Sequence, residues 1–342
     1  MLAPDVSVII PVRNGASYLR DSLQALARSR GVTWEAVVVS DASTDESSEI
    51  AEELGCRVIR LPVRRGAAHA RNVGAAASSA PILVFIDADV RVRPDTIAGL
   101  YDELQRDSSL AAVFGSYDAE PTHPGLLSQY RNLLHHHVHQ GGRAEAATFW
   151  TGCGAIRREA FERIGGFDTS FHAMEDIDLG VRLRAQGYRI RLAHQIQVTH
   201  LKVWSFWSIV RTDVRDRALP WTRIIMRSGK LPDDLNLSGP QRMSALTALG
   251  LTTLGLVGLR WPRLWLAIPG LAAAFVAQNR GLYHLLFRYG GPRLLAIGVP
   301  MHLLFYLYST AAFVYGYLRI ALGKEKNPPA PGHPVRSQGS EL

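Results

Sequence analysis

The sequence is poor in cysteine and lacks several common motifs of phosphate and zinc chemistry. Its two cysteines, Cys56 and Cys153, form neither a metal-binding nor a redox spacing, so reduced thiols are expected. The absence of GxxxxGK[ST] argues against a P-loop nucleotidase, and neither GxSxG nor HExxH occurs. The segment GCGAIR at 152–157 has Arg157 where a dinucleotide fingerprint needs its third glycine. The N-terminus predicts no signal peptide, because Asp5 and a strand-like VSVII come at once.

The basic charge of the chain is concentrated in its C-terminal part. The 342 residues are too many for one small domain, and the formal net charge is +8. Residues 206–342 carry sixteen Lys and Arg against six Asp and Glu, whereas residues 1–205 carry 22 against 24. The basic part is also the apolar part, which favours a membrane surface as its partner and argues against nucleic acid.

Before residue 205, short apolar runs alternate with helical patterns, which predicts an α/β domain. We predict strands at 6–10, 35–39, 57–61 and 82–86, and helices at 17–28, 45–54, 67–77 and 95–105. This alternation indicates a parallel sheet with both faces covered. Ligands of such sheets collect at the carboxyl ends of the strands.

Polar residues follow several of these strands, and the stretch PILVFIDADV is the clearest case. A buried run leads there into Asp87 and Asp89, two like charges that would share one side of an extended strand. Arg13 and Asn14 follow the first strand, and Asp41 ends the second. One such aspartate is usually a turn residue, but the repetition favours a site. Mg²⁺ or Mn²⁺ carrying a diphosphate would supply the missing positive charge.

The ordered motifs of residues 5–205 resemble a family 2 glycosyltransferase with the GT-A fold, of the membrane-anchored bacterial type. The segments VSVIIPVRNGASYLRDSL, VVVSDASTDES, GAAHARNVGA, DADV, TGCGAIRREAFERIGGFDTSF and EDIDLGVRLRAQGYRI carry the resemblance in this order. In the second of them, Ser40 replaces the family's first acid and Ala42 its glycine, so Asp41 alone carries the acidic role.

The resemblance implies roles for individual residues. The donor nucleotide would be bound by Pro11, Arg13, Asp41, Arg71 and Asp87. The metal, Mn²⁺ or Mg²⁺, would be held by Asp89 and His200, the general base would be Asp176, and the acceptor side would include Glu175 and Trp150. His200 has an alternative interpretation as a strand-end histidine bonded to backbone, and Trp150 has one as a plain core tryptophan.

Two clusters leave a choice between a site and ordinary structure. LLHHHVHQ at 133–140 has three consecutive histidines that cannot share one helix face, so a partly exposed helix is favoured over a metal site. Glu175, Asp176 and Asp178 begin a helical pattern, where acids are favourable for any helix. Asp176 and Asp178 lie on different faces, so only one of them can point at an acceptor.

The predicted catalytic domain covers residues 1–205, and the pattern of the residues after it predicts membrane association. Residues 206–240 mix Trp and Arg as interfacial helices do, and residues 241–323 contain three apolar segments. The Pro-rich tail, 324–342, is predicted to be disordered. We expect an integral protein of the cytoplasmic membrane whose catalytic domain faces the cytosol, where nucleotide sugars are made. A soluble helical bundle is the alternative, and the number of crossings, two or three, stays open.

The sequence therefore predicts an inverting, metal-dependent glycosyltransferase. It would move a sugar from a nucleoside-diphosphate sugar to a lipid-linked glycan, glycolipid or polysaccharide near the membrane. A polyprenyl-phosphate sugar synthase is one alternative. A membrane protein that binds nucleotide sugar without turnover is another, against which the intact Asp89 and Asp176 argue.

Overall fold

The computed structural model describes residues 3–229 and 237–324, which form two compact units. The first unit contains residues 3–118 and 142–202. The second contains residues 119–141 and the described residues that follow position 202. The insertion of 119–141 interrupts the continuous catalytic domain that the sequence predicts.

The first unit is built on a mixed sheet whose strands are rich in β-branched and aromatic residues. The strands are β1 (Val6–Val12), β2 (Trp34–Asp41), β3 (Arg57–Leu61), β4 (Ile82–Ile86), β5 (Val90–Arg91), β6 (Leu110–Tyr117), β7 (Cys153–Arg157) and β8 (Arg189–His200). Their order across the sheet is β3-β2-β1-β4-β7-β6-β8-β5. The four predicted strands are confirmed as β1 to β4.

The first seven helices of the described chain follow the predicted alternation closely. They are α1 (Ala16–Leu26), α2 (Ser47–Glu53), α3 (Ala67–Ala76), α4 (Thr96–Arg106), α5 (Leu126–Gln140), α6 (Arg158–Arg163) and α7 (Glu175–Ala185). The four predicted helices correspond to α1 to α4, with ends that differ by at most two residues. Helix α5 belongs to the second unit, and the other six belong to the first.

The prediction of a purely parallel sheet is wrong beyond β4. Strands β1 to β4 pair in parallel, but β7 is antiparallel to both β4 and β6, and β5 is antiparallel to β8. Residues 119–141 of the second unit come between β6 and β7 in the chain, so β4 and β7 are not joined by a simple helical crossover. The rule that such crossovers join parallel strands with right-handed connections therefore does not apply to β7.

Strand β4 shows why a continuous apolar run ends at the candidate site. Its alternate side chains enter two different cores, with Ile82, Val84 and Ile86 in one and Leu83 and Phe85 in the other. Both faces of the strand are therefore covered, and all five residues are buried. The chain can carry charged groups only where this strand leaves the sheet.

Ala42 occupies a backbone conformation that favours glycine, in agreement with the glycine of the family motif. Its φ is 52°, in the left-handed region, just after β2 ends. We expect Ala42→Gly to raise stability by ~0.5–1 kcal/mol, since the left-handed strain exceeds the entropy that glycine adds to the unfolded chain. Thermal unfolding of the purified protein measures this. Ala27→Gly, at a right-handed helical position with φ of −60°, is the matched control and should lower stability. A lower midpoint for Ala42→Gly would contradict the expectation.

The second unit is helical. Besides α5, it contains α8 (Phe206–Arg211), a π-helical segment (Thr212–Ala218), α9 (Leu219–Ser228), α10 (Gly239–Gly258), a 3-10 turn (Pro262–Ala267), α11 (Ile268–Gln278) and α12 (Arg280–Ala321). Its core joins residues of α5, α10, α11 and α12, among them Tyr130, Leu133, Ala248, Phe275, Leu282 and Leu286.

The tryptophans that predicted an interfacial face are mostly inside this unit. Trp204 and Trp221 are buried, and the ring of Trp204 lies 5.2 Å from the guanidinium carbon of Arg131. Trp207 is 76% exposed and alone of the three fits the predicted interfacial position. The Trp and Arg residues of 204–229 therefore serve internal packing as well as the surface.

The histidines of α5 pack within the second unit. His139 is buried, and the Nε2 of His135 lies 3.1 Å from Nη1 of Arg217. Among residues 3–229 and 237–324, no three or more His, Cys, Asp or Glu side chains are grouped so as to hold a metal ion. The predicted helix is present as α5, and the preference against a metal site there stays a prediction.

In the described part of the chain, α12 is the one helix long and apolar enough to cross a membrane. It is bent at Gly291, whose φ of 62° and ψ of −159° are not helical, and Pro292 follows. The two earlier apolar segments correspond to α10 and to the 3-10 turn with α11. The predicted disordered tail lies outside the described residues from position 325 onward.

Candidate active site

The two aspartates of the DADV motif lie in a turn between β4 and β5 and have different partners. The turn is closed by a hydrogen bond of 3.0 Å from the Val90 amide to the Asp87 carbonyl. Asp87 pairs with Arg71, whereas Asp89 lies beside His200. The expectation that both carboxylates share one side of a strand is therefore wrong, because the strand has already ended at Ile86.

Arg71 of α3 joins the DADV turn to the start of α7. Its Nη2 donates to Asp87 at 2.6 Å, and its Nη1 donates to Glu175 at the start of α7. Arg71 and Glu175 are both buried, and the guanidinium lies over the ring of Phe167. Burial by itself lowers the pKa of Arg71, but the charges of Asp87, Glu175 and Asp176 outweigh it and raise the pKa above its usual value.

The pKa values of Asp87 and Asp89 are shifted in opposite directions. Burial raises the pKa of Asp87, and Asp89 raises it further, although Arg71 opposes the change. Burial also acts to raise the pKa of Asp89, but His200 and Lys202 overcome this and hold it below its ordinary value. Asp89 is therefore a carboxylate at neutral pH, which suits it to bind a cation.

A short ribbon places His200 beside Asp89. Strands β5 and β8 pair through Val90 with His200 and Arg91 with Thr199, and the Leu201 amide donates to the Asp89 carbonyl at 2.8 Å. The Nε2 of His200 is 3.5 Å from Oδ2 of Asp89. His200 therefore has a side-chain contact with Asp89 in addition to its pairing with β5.

An aromatic stack continues from His200 to Trp150. The rings of Tyr117 and His200 are stacked at 4.6 Å, and Trp150 meets Tyr117 edge-on, also at 4.6 Å. Trp150 is only partly buried, and a β-carbon at Gly152 would collide with its ring. The partly accessible ring of Trp150 thus lies between Tyr117 and Gly152 and also packs against the core. This position is compatible with both predicted interpretations, an acceptor wall and a core tryptophan.

Helix α7 begins with the predicted acids, and these acids have different partners. Met174, at the N-cap, has a φ of 65°. Asp176 accepts hydrogen bonds from the amide and hydroxyl of Thr151, both at 3.2 Å. Asp178 is buried and pairs with Arg182 at 2.7 Å. Asp178 therefore serves an internal ion pair, while Asp176 lies in the charged cluster with Glu175.

Asp176 has the properties of a group that exchanges protons near neutral pH. Burial and the negative charge of Glu175 raise its pKa to about 6, while Arg71 and the Thr151 amide oppose the rise and Asp87 adds to it. General bases work best when their pKa lies close to the working pH.

Helix α7 packs against backbone with no side chain between. A β-carbon at Gly180 would collide with the main chain of Thr148 and Phe149. Phe149 directly precedes Trp150, so this contact fixes the helix that carries Asp176 next to the segment that carries the aromatic ring.

The remaining predicted nucleotide residues lie at the ends of β1 and β2. Asp41 is buried and accepts hydrogen bonds from the amides of Arg65 at 2.6 Å and Gly66 at 2.8 Å. A carboxylate has further lone pairs, so these bonds leave acceptor capacity for a ligand. Pro11 is partly buried within β1, and Arg13 is exposed just after it.

The sequence analysis missed several residues that the structure brings to this site. Tyr18 of α1 has its pKa raised to about 12 by burial and then by Asp89, Asp45 and Asp87. The others are Thr151, Tyr117 and Lys202, which contact or influence Asp176, His200 and Asp89. Tyr117 ends β6, so the strand-end rule would have found it if LAAVFGSY had been read as a strand.

Comparisons with known proteins agree with this geometry. Residues 7–165 match the family model for glycosyl transferase family 2, and residues 132–203 match the N-terminal domain of galactosyltransferase. The first match contains the DADV turn and Arg71, and the second contains Asp176 and His200.

Two curated relatives cover the first part of the chain. The pre-mycofactocin glycosyltransferase of Mycobacterium tuberculosis is 31% identical over 57% of this chain and 42% of its own length. The probable glycosyltransferase YdaM of Bacillus subtilis is 30% identical over 61% of this chain and 54% of its own. This chain thus spans about half the length of these relatives.

A solved structure resembles the fold along most of the chain. The mannosyltransferase PcManGT from Pyrobaculum calidifontis, in complex with GDP-Man and Mn²⁺, has a TM-score of 0.59 and 22% identity, covering 95% of this chain and 89% of that one. Together with the family match, this likeness confirms the predicted GT-A fold class.

Proposed function

We propose that this protein belongs to glycosyl transferase family 2, whose family model matches residues 7–165, and that it transfers a sugar from a nucleoside-diphosphate sugar to an acceptor hydroxyl. The observation that carries the proposal is the bridge from Asp87 through Arg71 to Glu175. It joins the motif expected at the donor phosphates to the motif expected at the acceptor. One site therefore holds groups for both substrates.

The proposed chemistry is an in-line displacement that inverts the anomeric carbon. The acceptor hydroxyl loses its proton to Asp176 as its oxygen attacks that carbon, and the bond to the diphosphate breaks. Thr151 donates to one carboxylate oxygen of Asp176, which fixes the direction of the group. Glu175 is held by Arg71, so it orients the start of α7 and tunes the charge at Asp176.

A divalent cation, Mn²⁺ or Mg²⁺, fits the donor side of this site. Asp89 and His200 offer one charged oxygen donor and one imidazole nitrogen 3.5 Å apart. Two protein ligands leave coordination positions for phosphate oxygens. When bound, the cation would neutralise the departing diphosphate. Pro11, Arg13, Asp41, Arg71 and Asp87 complete the proposed nucleotide-binding surface.

The acid limb of the pH–rate profile should report Asp176. Since the base must be ionised, we expect kcat/KM to fall as the pH drops through about 6, the raised pKa of this group. Thr151→Val removes a hydrogen bond to the charged form and should move the limb to higher pH. Glu175→Gln removes a neighbouring negative charge and should move it to lower pH. If neither variant moves the acid limb, the limb reports the ionisation of another group.

We propose further that the protein acts at the cytoplasmic membrane with its first unit in the cytosol. Support comes from α12 and from large apolar side chains that the second unit exposes, including Leu246, Leu256, Leu259, Leu266 and Leu318. Such a surface is unusual for a soluble monomer. The acceptor would then be a lipid-linked glycan, glycolipid or growing polysaccharide held near the bilayer.

Alkaline carbonate extraction tests the membrane proposal. We expect the full-length chain to stay in the pellet, because burying its exposed apolar surface in lipid is favourable at any pH. A peripheral protein held by charge is released by this treatment and serves as the control. Recovery of the full chain in the soluble fraction would count decisively against integral membrane association.

A panel of nucleotide-sugar donors tests the transfer itself. Purified protein, Mn²⁺ and a membrane extract are incubated with each donor, and the released nucleoside diphosphate is measured. Release that depends on the extract is expected for one donor class. Tight donor binding without release from any donor would favour a nucleotide-sugar-binding protein without turnover.

A further inference from the structure

Arg71 and Asn72 are adjacent residues of α3 that hold the two ends of one loop. The loop, residues 168–174, leads directly into α7. At its far end, Arg71 donates to Glu175. At its near end, Nδ2 of Asn72 donates to the Phe167 carbonyl at 2.8 Å, and the Phe167 amide donates to Oδ1 of Asn72 at 2.9 Å. Both ends of the loop are therefore tied to one turn of a helix that is 95 to 104 positions away in the sequence.

The side-chain amide of Asn72 pairs with Phe167 as one peptide group pairs with another. An asparagine side chain offers an N–H donor and a carbonyl acceptor side by side, which matches the N–H and C=O of a single backbone residue. A rotation of this amide toward a bound nucleotide would break both hydrogen bonds. The geometry thus favours a role at the loop over a role as a nucleotide ligand.

Gly166 leaves room for this pairing. Its φ is 68°, and a β-carbon there would lie 2.8 Å from Oδ1 of Asn72. Any other residue at this position would have a strained backbone and would also push the amide away. The glycine before Phe167 therefore suits the contact that Asn72 makes.

Phe167 connects this contact to the charged groups of the candidate site. Its ring is buried and meets the ring of Phe85 edge-on at 5.0 Å, and the guanidinium carbon of Arg71 lies 5.7 Å from its centroid. Phe85 lies in β4, two residues before Asp87. A shift of Phe167 would therefore change the packing under the guanidinium that joins Asp87 to Glu175.

We propose that Asn72 is a positioning residue for acceptor transfer, which acts by fixing the loop 168–174 and with it the direction of Asp176. The inference rests on the proposed function. Asn72 touches neither substrate, so its loss loosens the acceptor side and leaves Asp89 and His200 in place. A misplacement of about 1 Å can cost ~100-fold in rate, even when the mutation is far from the chemistry.

The kinetics of Asn72→Ala separate this role from one in donor binding. The full chain is assayed with saturating donor, Mn²⁺ and increasing amounts of membrane extract, and the released nucleoside diphosphate is measured. We expect extract-dependent release to fall by at least ~10-fold and to need more extract for half-saturation. Affinity for the nucleoside diphosphate, measured by calorimetry with Mn²⁺, should stay within a few-fold. A parallel loss of that affinity would make Asn72 a nucleotide ligand and overturn the proposal.

Hydrogen exchange tests the contact without any substrate. In Asn72→Ala, the amides of residues 167–174 should exchange faster than in the unmodified chain, because the Phe167 amide has lost its acceptor and the loop one of its two ties. Unchanged exchange there would show that other contacts fix the loop, which would overturn the proposal.

Ser7→Ala is the matched control, since it also removes a buried polar side chain that holds distant parts of the first unit. Ser7 accepts from the Ala80 amide at 3.0 Å and donates to Glu35 at 2.7 Å. It should lower the unfolding midpoint and leave extract-dependent release unchanged. An equal loss of release in both variants would reduce Asn72 to a contribution to stability and overturn the proposal.

Asn72→Asp decides the result if Asn72→Ala does not fold. Its carboxylate can still accept from the Phe167 amide but cannot donate to the carbonyl, so release should again fall without a loss of nucleotide affinity. An unmodified chain that releases no nucleoside diphosphate would count against the proposed transfer. Normal release by the unmodified chain that neither Asn72 variant lowers would overturn the role of Asn72 alone.

Discussion

Replacing Asp176 with asparagine should lower turnover by at least ~100-fold, the effect of losing a positioned general base. The amide keeps the size of the side chain and accepts the Thr151 hydrogen bonds, so the start of α7 should stay in place. It cannot take a proton from the acceptor hydroxyl. Donor affinity should stay within a few-fold, because Asp176 pairs with neither Asp89 nor His200. Steady-state kinetics and donor titration measure the two effects separately.

Asp178→Asn is the control for this prediction, since the same chemical change is made two residues away. Asp178 is buried against Arg182, which also donates to the carbonyls of Ile164 and Gly166. Its loss should lower the unfolding midpoint while the folded protein keeps its turnover. Near-normal transfer by Asp176→Asn together with an inactive, folded Asp178→Asn would show that the other acid is the base.

Replacing Asp89 with alanine should abolish the metal-dependent part of nucleotide binding. Asp89 is the carboxylate whose pKa is held low by His200 and Lys202, whereas Asp87 is already paired with Arg71. Without Asp89, His200 is left as the one protein ligand that we propose for the cation. Calorimetric titration with GDP, UDP and dTDP, with and without Mn²⁺, gives the metal-dependent affinity directly.

Asp102→Ala is the matched control for Asp89→Ala. Asp102 is a half-exposed acid on α4 whose ion pair with Arg106 lies on the surface, so its removal should change neither binding nor folding. Circular dichroism and the unfolding midpoint show whether Asp89→Ala is folded. An unchanged Mn²⁺-dependent affinity in that folded variant would remove Asp89 from the metal site.

The sequence predicts the first half of the sheet well, because those elements are defined by local signals. The runs of β1 to β4 are rich in apolar residues and are separated by helices of ordinary length, so their pairing follows from general rules. Residues 119–141, which precede β7 in the chain, belong to the second unit. No local pattern in the sequence predicts that the chain leaves the first unit there and returns to form β7. The same holds for the two-residue strand β5, which is too short to have a pattern.

In the candidate site, too, local motifs predict individual residues, whereas contacts between distant parts of the sequence are not predicted. The resemblance implied roles for Asp89, Asp176 and His200. It did not show that Arg71 contacts both Asp87 and Glu175, the second of which is 104 positions away in the sequence. The resemblance also favours Asp176 over Asp178 as the base, although both acids satisfy the helix pattern. Only the buried partner, Arg182, shows which one is committed to packing.

The contact at Gly180 has a consequence for how such an enzyme could change its acceptor. The backbone of α7 at Gly180 lies directly against the backbone of Thr148 and Phe149. Changes in side-chain packing therefore cannot increase the distance between Asp176 and Trp150. If the acceptor binds at Asp176 and Trp150 as we propose, a larger or smaller acceptor has to be accommodated by the ring of Trp150 or by the loop that precedes α7. Libraries aimed at new acceptors should therefore vary Trp150 and residues 169–173 and leave position 180 as glycine.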